Sequence, residues 1–149
     1  MISYEGLEKA LKEKGIGKTE LSTELGPAPG FNYERETSKP SEVHNHMKAL
    51  IDKYNAKENV TTPDIIEFHA KFEHIHPFQD GNGRVGRLVA LKECLHHNVI
   101  PFIIEDGKKG FYYRGLSEWI NEKGYLTDTC LDGQDTFVQL LDMLEIPHE

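Results

Sequence analysis

Two stretches of this chain are apolar around most of a helical circumference, and a glycine-rich dozen residues joins them. The first opens at Thr62 and carries Ile65, Ile66, Phe68, His69, Phe72 and Ile75. The second runs from Arg84 to His97, with Leu88, Val89, Leu91, Cys94 and Leu95. A helix that is apolar all round belongs in the middle of a protein. Two in succession call for a helical core built around their junction. That junction reads His76-Pro77-Phe78-Gln79-Asp80-Gly81-Asn82-Gly83-Arg84-Val85-Gly86-Arg87. Pro77 stops the first helix, and Gly81 to Gly83 form a tight loop.

The remaining pattern is also mainly helical. From Ser41 to Asn55, the residues Val43, Met47, Leu50, Ile51 and Tyr54 share one stripe. Thr62 and Pro63 read as a cap followed by a first-turn proline. Phe111 to Lys123 reads as a helix closed by Gly124, and a last helix runs from about Asp135 to Leu144. Near the start, Ser3 caps a short helix ending at Gly15, and Thr19 opens a second that ends before Gly26. Short extended segments or a hairpin are expected near 30–38 and 99–105. The expected fold is all-α, with a helical N-terminal segment over 1–26 and a core domain over 27–149.

Composition narrows the function. The chain has 149 residues, one domain's worth. No apolar run approaches the roughly 18 residues of a membrane helix, and Met1 to Lys14 lacks a signal-peptide core. Net charge is -8, which disfavours nucleic acid and anionic membrane as partners. From Glu118 onward there are eight acids and one base, so that segment alone holds -7. Cys94 and Cys130 have no CxxC spacing, so neither a disulfide scaffold nor a zinc cluster is indicated. The expected location is the reducing cytoplasm. His44, His46, His69, His74, His96 and His97 show no zinc spacing with a third ligand and are expected mostly on solvated helix faces.

The junction carries the chemistry. A helix start presents unpaired N–H groups and the positive end of the macrodipole, which together bind anions. Gly81 and Gly83 let phosphate oxygens approach the backbone, and Asn82 can add an amide donor. Arg84 and Arg87 place positive charge where the helix dipole opposes it unless an anion is present. Asp80 is a hard oxygen ligand suited to magnesium. His76 titrates near neutral pH and can serve as a general base. Each part alone has a bland reading, as a cap, a turn or a surface ion pair. Together they suggest attack of a hydroxyl on a nucleotide phosphate.

These residues resemble the signature of the Fic family, H-x-F-x-[D/E]-G-N-G-R-x-x-R, at every fixed position: His76, Phe78, Asp80, Gly81, Asn82, Gly83, Arg84 and Arg87. The resemblance extends from about Gly30 to Ile146. It implies protein adenylylation, with AMP passing from ATP to a Ser, Thr or Tyr hydroxyl of a target protein. By the same resemblance His76 takes the hydroxyl proton, and Asp80 holds magnesium on the α- and β-phosphates. Gly81, Asn82 and Gly83 form the anion hole. Arg84 grips the phosphates, Arg87 holds the γ-phosphate and Phe78 fixes the loop in the core. Tyr112 or Tyr113 is expected to line the adenine pocket. Kinase-like relatives of the death-on-curing group carry lysine at the Gly83 position, so glycine favours nucleotidyl transfer.

Two departures qualify the resemblance. The inhibitory pattern [S/T]-x-x-x-E-[G/N] found in many relatives is absent, leaving open an inhibitory partner or a homo-oligomer. Tyr4 to Gly26 looks like half of a helix-turn-helix, but Pro27, Pro29 and Gly30 stand where a recognition helix would follow. A DNA-binding regulator and an idle nucleotide- or partner-binding domain are the alternatives to the enzyme.

Overall fold

The computed structural model describes residues 37–148. The expected helices before Gly26, the helix-turn-helix-like segment and most of the extended segment near 30–38 lie outside the described residues. Five α-helices follow: α1 (Val43–Asn55), α2 (Thr62–Ile75), α3 (Asn82–His96), α4 (Lys109–Ser117) and α5 (Gly124–Met143).

Helix α2 is the axis, packed against all four others. It buries Ile65, Ile66, Phe68, His69, Ala70, Phe72, Glu73 and Ile75, which matches its all-round apolar pattern. Its cap is Thr61, one residue before the expected Thr62. The Thr61 N–H and hydroxyl both donate to the Asp64 carboxylate, at 2.9 and 2.6 Å. Their pairing satisfies polar groups that the first turn would otherwise leave open. Helix α1 lays Met47, Leu50, Ile51 and Tyr54 on one side of α2, as its stripe predicts. These residues form one apolar cluster with Phe68, Phe72, Ile75, Phe78, Val85 and Val89. On the other side, Ile66 and Ala70 join Tyr112, Leu116, Trp119, Leu126 and Cys130 of α4, α5 and the turn between them.

Helix α3 is one-sided, contrary to expectation. It buries Val85, Gly86, Val89, Ala90 and Cys94, but Leu88 and Leu95 are 59% and 61% exposed and Leu91 is also exposed. Only the face crossing α2 is covered. At that crossing Gly86 lets the helices meet closely: a Cβ there would stand 2.6 Å from Glu73 Oε1 and 3.1 Å from both His69 Cε1 and Phe72 Cδ1.

The C-terminal elements differ from the sequence reading at their boundaries. Helix α4 ends at Ser117, and Gly124 opens α5 rather than closing α4. Its N–H bonds Glu122 Oε1 at 2.8 Å. Helix α5 then runs 20 residues, starting well before Asp135. The helix continues through Gly133, and the extended 99–105 segment lies across that glycine. A Cβ on Gly133 would stand 2.5 Å from the Ile103 carbonyl oxygen, and the Ile103 N–H bonds the Gly133 carbonyl at 3.3 Å. No strand is formed among the described residues. Cys94 and Cys130 are buried free thiols, and no described helix is long and apolar enough to cross a membrane.

Candidate active site

The site begins where α2 stops. His76 follows Ile75 in the left-handed conformation, φ 55 and ψ 59, and its N–H bonds the Phe72 carbonyl at 3.0 Å. The reversal turns the chain off the α2 axis and leaves the imidazole at the exposed end of the helix. Two residues later Phe78 drops into the core, 6.3 Å from the Phe72 ring. That anchor is the one the resemblance implies.

Asn82 closes the loop. Its Nδ2 donates to the Phe78 carbonyl at 2.7 Å, and its Oδ1 accepts the Phe78 N–H at 2.8 Å. The side chain is 3% exposed. Its amide is therefore committed to holding the loop, and what Asn82 offers an anion is its backbone N–H at the start of α3. Gly81 caps that helix with φ 77, a conformation a side chain would strain.

Both arginines fold back over this helix start, and the glycines make the room. A Cβ on Gly81 would lie 3.5 Å from Arg84 Nη2, and one on Gly83 would lie 3.1 Å from Arg87 Nη1. Arg84 is only 11% exposed along its side chain and reaches Asp80 Oδ2 at 3.6 Å, while Asp80 is 42% exposed. Arg84 Nη1 is shielded from solvent and has no hydrogen-bond partner. A buried guanidinium donor left unmatched is costly, and an anion would satisfy it. Asp80 is a half-exposed carboxylate beside it, a donor of the hard type that magnesium takes. Among the described residues no group of three or more His, Cys, Asp or Glu side chains is placed to hold a metal.

The tyrosines separate. Tyr112 is 1% exposed and lies beneath α2, with its hydroxyl 2.7 Å from His69 Nε2. At this depth it has no surface to offer a nucleotide, which narrows the expected pair of tyrosines to Tyr113. Burial first, and then the Glu73 charge, push its hydroxyl far above the usual tyrosine range, with Arg87 opposing by charge and hydrogen bonding. The Arg87 guanidinium carbon is 5.8 Å from the Tyr112 ring centroid. Tyr113, half-buried with its ring 5.4 Å from that of Tyr112, keeps surface to offer.

His69 and Glu73 went unassigned in the sequence, and His69 is buried rather than solvated. The signal was present: two polar residues one turn apart on an apolar helix, facing a glycine on the next.

The Fic/DOC family model matches residues 10–94. A probable protein adenylyltransferase of Aquifex aeolicus is 30% identical over 79% of this chain and 32% of its own length. A protein adenylyltransferase Fic of Nematostella vectensis is 34% identical over 53% of this chain and 19% of its own. The chain thus spans about a third and about a fifth of these two relatives. With the motif residues assembled at one helix junction and the match covering more than half of its length, the chain belongs to the Fic/DOC family.

Proposed function

We propose that the protein is an adenylyltransferase that moves AMP from ATP to a Ser, Thr or Tyr hydroxyl of a target protein. The observation that carries this reading is Arg84 Nη1, a buried and unmatched donor at a glycine-opened helix start. In the reaction His76 removes the proton from the target hydroxyl, and the hydroxyl oxygen bonds the α-phosphorus. The α–β phosphoanhydride bond breaks and pyrophosphate leaves. The α3 N–H groups and Arg84 stabilise charge on the phosphate oxygens. Arg87 meets the γ-phosphate, and Tyr113 is the tyrosine with surface for the adenine. Asp80 would hold magnesium, which when bound supplies positive charge to the α- and β-phosphates. The names of the two relatives support the reaction class, and the net charge of -8 disfavours nucleic-acid partners.

The test is transfer of label from [α-32P]ATP with magnesium, to the protein itself or to a lysate target. Wild type should label and His76→Ala should not. Absence of label with both proteins sinks the transferase reading.

A further inference from the structure

Three helices bring polar groups to a buried region behind the phosphate cradle. Helix α2 contributes His69, 1% exposed. Helix α4 contributes the Tyr112 hydroxyl, 2.7 Å from His69 Nε2. Helix α3 contributes Arg87, with its guanidinium carbon 5.8 Å from the Tyr112 ring centroid. Glu73 Oε1 approaches the same place from α2, at 3.8 Å from where a Gly83 Cβ would be, with Arg87 Nη1 at 3.1 Å from that point.

Arginine is a long, flexible side chain, and a bound phosphate gains most from one that is already ordered. Arg84 is ordered by its own burial and by Asp80. Arg87 leans on Tyr112. The guanidinium donates a hydrogen bond to the Tyr112 hydroxyl, whose oxygen also lies 2.7 Å from His69 Nε2. The chain of contacts then runs from Arg87 to Tyr112 to His69.

We propose that the Tyr112 hydroxyl, held by His69, positions Arg87 over the start of α3 and so sets the preference for a nucleoside triphosphate over a diphosphate. This rests on the adenylyltransferase reading, in which Arg87 meets the γ-phosphate. Tyr112 and His69 are positioning residues, since neither touches the nucleotide.

The experiment is titration with magnesium and either ADP or a nonhydrolysable ATP analogue. Wild type should bind the triphosphate analogue about tenfold more tightly than ADP, the gain from one added charged contact. Tyr112→Phe keeps the buried ring. It should bring the ratio close to one while leaving ADP affinity within about twofold of wild type. His69→Gln, which keeps an acceptor near the hydroxyl, should retain the ratio, and His69→Leu should lose it. The His69 pair decides the matter should Tyr112→Phe fold poorly. Retention of the ratio in Tyr112→Phe or His69→Leu, or equal weakening of both ligands, overturns the positioning role alone. Binding of both ligands by wild type without preference also overturns it. Failure of wild type to bind either overturns the nucleotide reading and this proposal with it.

Discussion

His76 sits at φ 55, a backbone conformation that costs a residue with a Cβ about 1–2 kcal/mol. The cost falls on the residue proposed to carry the proton, and the reversal is what brings the following loop across the start of α3. His76→Ala and His76→Gly should both abolish transfer. They should differ in stability, with the glycine variant more stable by about 1 kcal/mol because it tolerates the left-handed turn. Urea unfolding measures this, and equal stabilities would mean that the turn is not held in solution. Gly83 gives a contrasting case. An alanine there would press Arg87 Nη1 at 3.1 Å, and that flexible end can move aside. Gly83→Ala should therefore unfold no more readily than wild type, since alanine favours a helix by up to about 1 kcal/mol. It should nonetheless bind the ATP analogue more weakly, as a displaced Arg87 requires. Unchanged affinity would show that the arginine's place is immaterial. At this scale the motif was legible as a set of residue types, because glycine, arginine and aspartate announce a phosphate site by chemistry alone. The direction of each side chain was not. The Asn82 side chain reads as an anion donor in the sequence, and only the position of Phe78 shows it to be a loop clasp.

Among the elements, α2 combines an acidic residue in its capped first turn with a close crossing at Gly86 of α3. Burial pushes the Asp64 carboxyl upward, but hydrogen bonds from the Lys57 ammonium and from Thr61 outweigh it and hold it at about 2. A carboxyl depressed in the folded state stabilises fully above its ordinary value near 4 and loses that contribution as pH falls towards 2. Wild type should exceed Asp64→Asn by about 1 kcal/mol at pH 6, a cap-sized difference, and by less than about half of that at pH 2.5, where the contribution is being lost. A gap undiminished at pH 2.5 would argue against the carboxylate as the source. The helix crossings rank the glycines. Gly115→Ala would press a Cβ against the Leu126 backbone at 2.6 Å, whereas Gly86→Ala meets only side-chain atoms and Gly107→Ala meets nothing within 4 Å. Thermal melts should order Gly115→Ala as the most destabilised and Gly86→Ala next, by about 1–3 kcal/mol. Gly107→Ala should lie within about 0.5 kcal/mol of wild type. These contacts also explain why element boundaries were harder to read than elements. A glycine punctuates a sequence in the same way whether it ends a helix or admits a neighbour. Gly124 therefore reads as a helix end where it opens α5, while the stripe of α1 and the fully apolar α2 are plain.

Taken whole, the molecule is organised around α2, with apolar clusters on both sides of it and the cradle at its C-terminal end. The all-α architecture was legible because hydrophobic periodicity survives without knowledge of neighbours. The exposed leucines of α3 were not, since periodicity shows which residues are apolar but not which of them find a partner. Charge was legible as a total, and the fold shows where it lies. Asp128, Asp132, Asp135 and Asp142 are exposed on α5, whereas Arg84 and Arg87 belong to the start of α3. A surface that attracts phosphates at long range loses affinity steeply with salt, about 10³–10⁵-fold between 50 and 200 mM for a protein with many backbone contacts to nucleic acid. A chain of net charge -8 has no such field to lose. Its hold on a nucleotide would come from Arg84, only 11% exposed along its side chain, and buried charges are screened far less than exposed ones. Raising salt from 50 to 500 mM should therefore weaken binding of the magnesium-bound ATP analogue by less than about tenfold. Duplex DNA should show no mobility shift at either concentration. A loss of a hundredfold or more would mean that the cradle acts as an open electrostatic patch, and the central place given to the buried guanidinium would have to be abandoned.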